Sequence, residues 1–230
     1  MERKKMEIPN KKYKVILADP AWEYSFSGTR ADKEDDYPTM KSKDIANLPI
    51  KELADTDCVL FIWVIYNRLK EALDVIQAWG FEYKSCAFCW IKTNKQGNGY
   101  FWGMGGWTRA NSEICLLATK GNPKPTSHAV HNIIISRVRE HSRKPDEVRQ
   151  RIIKLCGDVP RIELFAREKH EGWDVWGNQL PDTTQNLLNA TTGETVFPLQ
   201  ESLISVKRES ADSQNSPHDS STIKEEANFS

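Results

Sequence analysis

Short runs of apolar and β-branched residues recur along the chain, and several are separated by stretches whose apolar residues repeat at helical spacing. The strand-like runs cover residues 15–18, 58–64, 86–91, 114–118, 133–138 and 161–165. The helical patterns cover residues 42–53, 68–79 and 145–155. The second helical pattern places Leu69, Leu73 and Ile76 on one face and ends before Gly80. The sequence therefore predicts strands that alternate with helices.

This alternation predicts an α/β fold. The strand-like runs are almost continuously apolar, which is typical of a mostly parallel sheet with helices on both faces. Ligands of such sheets bind beyond the carboxyl ends of the strands. The residues that follow those strand ends are therefore the candidates for chemistry.

The apolar pattern stops near Leu180, and this sets the expected domain organisation. Residues 181–230 are rich in Ser, Asn, Thr, Asp and Glu and contain few large apolar residues, so we expect a disordered tail. Residues 11–180 are expected to form one folded domain after a short amino-terminal extension, residues 1–10.

Charge and cysteine content narrow the class of protein. Lys plus Arg number 32, as do Asp plus Glu, so a net charge of zero does not by itself predict binding to nucleic acid. Such binding would need a local basic patch or a partner. Five cysteines without framework spacing, no signal peptide and no long apolar run predict a soluble, cytoplasmic protein with reduced thiols and no membrane contact.

The first strand ends on Asp19-Pro20-Ala21-Trp22, and these residues suit recognition of an amino group on a flat ring. Asp and Pro are common turn residues, so the Asp-Pro pair alone indicates only a strand end. A turn does not require the indole of Trp22, which we expect to be exposed where a planar ligand could stack. Asp19 and the Pro20 carbonyl could accept both hydrogens of the adenine amino group, while Trp22 holds an extruded base.

Two pairs of potential metal ligands are weaker candidates. Cys86 and Cys89 have zinc-like spacing, but no second pair accompanies them, and core cysteines are the favoured interpretation. His128 and His131 lack a clustered acid or third ligand. No metal site is predicted.

Two segments leave alternatives open. The glycine-rich stretch 97–106, with Trp102 and Trp107, is either a loop that contacts substrate or a partner, or a surface hairpin with its aromatic rings tucked beneath it. The basic segment 137–144 is either a solvated face or a phosphate-contacting patch. The second interpretation is favoured for the basic segment, and it assigns Arg139 to substrate binding.

Nine segments resemble, in order, those of the adenine-N6 methyltransferases, a family typified by the catalytic subunit of the eukaryotic mRNA adenosine methyltransferase. They are ADPAWEY, YPTM, LFIWV, WGFEY, CWIKTN, TKGNP, HSRKPDEV, RIELFARE and GWDVWGNQ. The bacterial and phage branch, which acts on DNA, is the more similar. The resemblance implies S-adenosylmethionine as cofactor and a Rossmann-like methyltransferase fold across residues 11–180. It also implies a circularly permuted order, in which the catalytic segment precedes the cofactor segment.

The resemblance implies roles for individual residues. Asp19 and Pro20 would hold the target amine, with Trp22 against the target ring and Tyr37 in a loop that closes over the base. Ala21 stands where most relatives have proline, which removes rigidity but no hydrogen-bonding group. The implied cofactor contacts are Asp19, Lys144, Arg167, His170, Asn178 and Gln179.

The sequence thus predicts an adenine-N6 methyltransferase that acts on DNA. Two alternatives stay open: a methyltransferase that acts on RNA, and a non-catalytic nucleic-acid-binding subunit of a methyltransferase complex. A homodimer, or a heterodimer with a related subunit, would enlarge the basic surface of a chain without net charge.

Overall fold

Six strands of the structure, a computed structural model, lie where the apolar runs are. The structure describes residues 6–7, 9–23, 39–103, 105, 107–139, 143–178, 180 and 196–197. The strands are β1 (Met6–Glu7), β2 (Tyr13–Ala18), β3 (Ala54–Val64), β4 (Glu82–Thr93), β5 (Ser112–Lys120), β6 (Ile133–Arg137), β7 (Arg161–Leu164), β8 (Asp174–Trp176) and β9 (Val196–Phe197). The helices are α1 (Ser42–Ala46), α2 (Ile50–Leu53), α3 (Leu69–Ala78) and α4 (Glu147–Cys156), with a 3-10 turn at Tyr66–Arg68.

Seven strands form one sheet in the order β6-β4-β5-β3-β2-β7-β8. Strand β2 pairs in parallel with β3 and β7, β7 with β8, and β4 with β6. Of these seven strands, β5 alone is reversed, and it pairs antiparallel with both β3 and β4. The prediction of a mostly parallel sheet is confirmed.

The two faces of the sheet carry separate apolar clusters, each covered by helices. Side chains alternate along β2, so Ile16 and Ala18 join the cluster under α1, α2 and α3, whereas Val15 and Leu17 join the cluster under α4. Each fully buried large side chain of this kind contributes about 1.5–3 kcal/mol to folding. The prediction of helices on both faces is confirmed.

The direction of β5 determines which loops reach the edge that carries Asp19. Because β2, β3, β4 and β7 run in one direction, their carboxyl ends lie at that edge. Reversed β5 begins there, so the connection from β4 to β5, residues 94–111, also emerges at this edge. We call this edge of the sheet the carboxyl edge.

Two helical predictions differ from the structure. The helix predicted over residues 42–53 is divided into α1 and α2, because Pro49 cannot donate the backbone hydrogen bond that a continuous helix needs. In α3 the buried stripe runs through Ala72, Val75 and Ile76, and this leaves Leu69 and Leu73 at its exposed border. Strand β8 was not predicted, since three residues carry little periodic signal.

The chain divides into two compact units, Met1–Val196 and Phe197–Ser230. Of the second unit, the structure describes Phe197 alone. The predicted boundary at residue 180 remains a prediction, because residues 181–195 lie outside the described part of the chain. None of the helices described has the length and apolar character to cross a membrane. Among the described residues, no three His, Cys, Asp or Glu side chains are grouped to hold a metal ion.

Candidate active site

Asp19 and Lys144 form an ion pair at the carboxyl edge. Asp19 follows the last residue of β2, where Pro20 prevents the strand from continuing. Lys144 lies in the segment before α4, and its Nζ is 2.9 Å from each carboxylate oxygen of Asp19. Two residues that are 125 positions apart in sequence are thus held together by the fold.

A buried carboxylate extends this pair into a chain of alternating charges. Glu113 on β5 is 8% exposed, with Oε2 at 3.3 Å from Lys144 Nζ and Oε1 bonded to Lys92 Nζ on β4. Burial raises the pKa of Glu113, but Lys144 and Lys92 outweigh burial and lower it. We call Asp19, Lys92, Glu113 and Lys144 the inner cluster.

Lys144 is the central cation of the inner cluster. Burial lowers its pKa, but the carboxylates of Asp19 and Glu113 outweigh that effect and raise it. The ammonium also lies 5.7 Å from the ring centroid of Trp63. Lys144 therefore stays charged at neutral pH and fixes the position of the Asp19 carboxylate.

Trp22 does not have the exposed indole that the sequence predicts. Its side chain is 5% exposed, and its Nε1 donates a 3.0 Å hydrogen bond to the carbonyl of Trp63 on β3. That carbonyl lies at the carboxyl edge, so the indole ties the chain after β2 to the end of β3. The prediction of exposure is wrong, because a distant backbone acceptor satisfies the indole N–H and favours its burial.

The carbonyl of Pro20 already accepts a 2.9 Å hydrogen bond from the backbone N–H of Trp22. A carbonyl oxygen has two lone pairs, so one remains for a ligand. The tight turn closed by this bond fixes the direction of the Pro20 carbonyl. The Asp19 side chain leaves the chain at the preceding residue.

A cleft of about 210 Å³ lies beside the Asp19–Lys144 pair. Leu17, Trp63, Val148 and Phe165 give it an apolar lining. Charged and polar groups also line it: Asp19, Lys144, Arg143, Arg149, Glu163, Arg167, Glu168 and His170. The cleft thus combines an apolar surface with groups of both charge signs.

A second set of charges lines the side of the cleft formed by α4, β7 and the chain after β7. Arg149 pairs with Glu163 through two bonds of 2.7 and 2.8 Å, and Arg143 lies 2.6 Å from Glu168. His170 Nε2 is 3.6 Å from Glu168 and 4.0 Å from Glu163. We call Arg143, Arg149, Glu163, Glu168 and His170 the outer cluster.

His170 in the outer cluster is held neutral. Burial and the charge of Arg149 lower its pKa, and the carboxylates of Glu163 and Glu168 only partly oppose them. A neutral imidazole offers one hydrogen-bond donor and one acceptor. His170 can therefore contact a hydroxyl group of a ligand in either direction.

Phe165 turns the chain at the carboxyl edge. It follows β7 directly and has φ of 62°, a left-handed conformation that is rare for a bulky residue. Its ring packs edge to face against Trp176, with centroids 5.8 Å apart. Gly177 lies so close to Ala166 that a Cβ would be 2.2 Å from the Ala166 oxygen, so the position requires glycine.

The structure brings some of the predicted site residues together but not all. Asp19, Lys144, Arg167 and His170 line one cleft. Asn178 is exposed in the turn after β8 and is not among the residues that line it. Two further predicted site residues, Tyr37 and Gln179, lie outside the described residues.

Arg139 has an internal role in this structure. It donates to the backbone carbonyl of Lys144 and lies 2.6 Å from Asp146. The hydrogen bond that Arg139 donates to the Asp146 carboxylate lowers the pKa of Asp146 to about 2. Arg139 thus holds the segment that carries Lys144, and its predicted contact with substrate stays a prediction.

Sequence reasoning missed several residues of the two clusters and the turn at Phe165. Glu113 and Lys92 are charged residues inside apolar strands, and burial of a charge requires a partner, so their presence there was an available signal. Glu163 gave the same signal on β7. Nothing in the sequence indicated the backbone conformation of Phe165.

Comparison with known proteins gives a family match and several similar chains. The profile of the MT-A70 family matches residues 13–179. The chain is 32% identical over 196 residues to the type II methyltransferase M.MunI of Mycoplasma sp. The matched region covers 76% of this chain and 81% of that protein. It is 32% identical over 169 residues to the N(6)-adenosine-methyltransferase MT-A70-like protein of Arabidopsis thaliana, 72% of this chain and 23% of that protein.

The chain is also 32% identical over 173 residues to the N(6)-adenosine-methyltransferase catalytic subunit METTL3 of Homo sapiens. The matched region covers 74% of this chain and 28% of the human protein. The described cleft and the ends of β2, β4, β5 and β7 all lie within residues 13–179. By this match and this coverage, the chain belongs to the MT-A70 family, whose relatives named here are methyltransferases.

Proposed function

We propose that the chain is an S-adenosylmethionine-dependent adenine-N6 methyltransferase that acts on DNA. The observation that carries this proposal is the Asp19 carboxylate, fixed by Lys144 beside the Pro20 carbonyl at the mouth of the cleft. Family membership and the match to most of the length of a type II methyltransferase support it. The resemblance to the bacterial and phage branch favours DNA as the substrate.

The residues of the cleft fit S-adenosylmethionine, which supplies an electrophilic methyl group when it is bound. Its methionine part carries an ammonium and a carboxylate, and the cleft offers Asp19 for the first and Lys144 for the second. Arg167 and His170 would contact ribose hydroxyls, and Asn178 with Gln179 would complete the nucleoside contacts. Arg143 Nε is a buried donor without an acceptor among the described residues, which suits a polar ligand.

The protein groups act by placing the target amine. The lone pair of the adenine amino nitrogen is delocalised into the ring, so the nitrogen is a poor nucleophile. Asp19 and the Pro20 carbonyl accept its two N–H hydrogens and hold the lone pair toward the cleft. Lys144 prevents the carboxylate from turning away. No strongly basic residue is required.

Trp22 contributes to this arrangement from the interior. With its indole bonded to the carbonyl of Trp63, it fixes the turn that directs Asp19 and Pro20. In this conformation Trp22 is therefore a positioning residue for Asp19 and Pro20. Contact with the target ring requires the indole to leave the Trp63 carbonyl.

RNA is the second candidate substrate, because relatives named N(6)-adenosine-methyltransferases match the same domain at 32% identity. A dimer of this chain, or a complex with a related subunit, is compatible with either substrate. A non-catalytic subunit is the third possibility, and it is disfavoured because Asp19 and Lys144 are both present and paired.

The test is transfer of labelled methyl from S-adenosylmethionine to DNA and RNA of matched sequence. We expect incorporation into DNA with wild type and a loss of at least about 100-fold with Asp19→Ala, the effect of removing a preorganised group that acts on the reacting atoms. Asp74→Asn is the matched control, since Asp74 is an exposed acid on α3. Wild-type protein that binds cofactor but methylates neither nucleic acid would refute the proposal, whereas methylation of RNA alone would change the substrate.

A further inference from the structure

The connection between β4 and β5 leaves the sheet at the carboxyl edge, on the side of the inner cluster. Lys92 lies two residues before this connection and Glu113 lies two residues after it. The backbone of Lys92 accepts a 2.9 Å bond from Phe101 and donates one of 2.9 Å to Asn111. The base of the connection is therefore anchored to the strands that carry the inner cluster.

The described part of residues 100–110 forms a narrow projection, which we call the arm. Gly103 packs so closely on Ala110 that a Cβ would lie 2.0 Å from the Ala110 oxygen. Gly105 packs in the same way on Thr108, also at 2.0 Å. The two sides of the arm thus pack backbone against backbone, which glycine permits and other residues would prevent.

Three of the four aromatic side chains of the arm face solvent. Trp107 is fully exposed, Trp102 is 77% exposed and Tyr100 is also exposed. Of the two interpretations of this segment, the one with aromatic rings tucked beneath a hairpin is wrong for these three residues. Large apolar rings exposed together are characteristic of a binding surface.

The charged residues of the connection between β4 and β5 are of one sign. Residues 94–111 contain Lys95 and Arg109 and no Asp or Glu. Arg137, at the end of neighbouring β6, lies against Gly97 at the start of the connection. All three cations are exposed. Exposed indoles among cations, without acids, favour a ligand that combines flat rings with negative charge.

We propose that the arm binds nucleic acid beside the target adenine, with Trp102 and Trp107 stacking on unpaired bases and Arg109, together with Lys95 at the start of the connection, contacting phosphates. This inference rests on the proposed function, since it assigns a substrate contact to the same carboxyl edge. Single-stranded DNA, or duplex DNA opened around an extruded base, presents the ring faces that the indoles require.

The test compares the affinity of wild type and variants for a fluorescently labelled single-stranded oligonucleotide by anisotropy at fixed salt. The double variant Trp102→Ala, Trp107→Ala should weaken binding by about 10–100-fold, the range expected when base stacking on aromatic residues is lost. The double variant Trp102→Phe, Trp107→Phe should restore most of the affinity. Tyr83→Ala is the control, because Tyr83 is an exposed ring at the opposite edge, near the start of β4.

Methylation kinetics add a second criterion. The alanine double variant should raise KM for DNA by a similar factor and leave kcat within about threefold, because the arm contributes binding that is equal in ground and transition states. Unchanged affinity and KM would overturn the inference. So would a dimeric wild type that becomes monomeric in the double variant without loss of oligonucleotide affinity, since the arm would then be an interface between copies.

Failure of the proposed function is distinguishable from failure of the arm. If wild type binds the oligonucleotide through the indoles but methylates neither DNA nor RNA, the proposed function fails and the arm remains a nucleic-acid-binding surface. If wild type methylates DNA and the alanine double variant does so with unchanged KM, the inference about the arm fails alone.

Discussion

The inner and outer clusters face the same cleft, yet they differ in construction. Three of the four inner residues lie on or directly after strands of the sheet, and its central carboxylate, Glu113, is buried between two lysines. In the outer cluster, Arg143 and Glu168 are exposed enough to reach water, and Glu168 and His170 lie in the chain after β7. The inner cluster is a rigid support, whereas in the outer cluster the Arg143–Glu168 pair, unlike the buried Arg149–Glu163 pair, can exchange its internal contact for contacts with a ligand.

This difference implies separate contributions to catalysis. A rigid support should act chiefly on the rate of methyl transfer, because it holds groups that touch the reacting atoms, although Asp19 and Lys144 would also contact the methionine part of the cofactor. An exchangeable set of charges should act on cofactor affinity.

Replacement of Lys144 by methionine should have the largest effect. It removes the cation between the carboxylates of Asp19 and Glu113, so that Asp19 loses its lysine partner while Glu113 keeps Lys92, and kcat should fall at least about 100-fold. The free energy of unfolding should fall by about 3 kcal/mol, as when one partner of a buried pair is removed. Methylation assays and urea unfolding measure the two effects. Lys70→Met, on the exposed face of α3, is the control and should change neither.

Replacement of Glu113 by glutamine should reduce kcat by about tenfold, since one charge-assisted contact to Lys144 is weakened while the Asp19 pair is kept. The KM for cofactor should change little. Rapid-quench measurement of the methyl-transfer step would show the effect directly. A variant with normal kcat and a raised cofactor KM would remove the distinction between the two clusters.

The same variant gives a pH dependence with a defined sign. The pKa of Glu113 in the folded protein lies below the ordinary value of 4.5, so its stabilising contribution is present above pH 4.5 and is lost as the pH falls through the folded value. Wild type should therefore exceed Glu113→Gln in unfolding free energy at pH 7. The gap should narrow under acid conditions, and a gap that widens instead would contradict the assignment of the charge.

Replacement of Glu163 by glutamine tests the outer cluster. Arg149 loses its bidentate carboxylate partner and keeps the 3.2 Å contact with Asp146, so its guanidinium is held less firmly at the side of the cleft. The cofactor KM should rise by about tenfold, the scale of one charge-assisted hydrogen bond, with kcat nearly unchanged. Isothermal titration with S-adenosylmethionine and with S-adenosylhomocysteine would measure the same loss without catalysis.

Replacement of Glu168 by glutamine should have the smallest effect. Its side chain is half exposed where it pairs with Arg143, so the pair should contribute less than about 1 kcal/mol to stability and be screened by salt. Thermal unfolding at low and high salt would measure the contribution. A loss as large as that of Glu113→Gln would mean that the outer cluster is as rigid as the inner one.

Much of the fold follows from local sequence pattern. Apolar runs and their spacing place six of the strands and α3 and α4, because the sheet and its helices bury the residues that the pattern marks. The reversal of β5 depends on which strands pair with it, and the sequence of β5 itself does not encode that choice. Strand β8 is held by β7 and contributes too few residues to be detected alone.

The site was partly predictable for the same physical reason. Asp19 and Lys144 lie in motifs whose residue types can be recognised, and the structure joins them. Trp22 shows the limit: whether its indole is exposed depends on the Trp63 carbonyl, 41 residues further along the chain. Glu113 and Lys92 become partners only because β4 and β5 are neighbours in the sheet.

The left-handed conformation of Phe165 has a consequence for the whole loop that follows. Such a conformation costs a bulky residue about 1–3 kcal/mol, which the surrounding packing must offset. The chain carries Arg167, Glu168 and His170 away from this point, so a single dihedral angle sets the direction of three cleft residues together. A substitution at position 165 would therefore re-aim the three side chains as a group, which gives the cleft a simple route to accept ligands of altered shape.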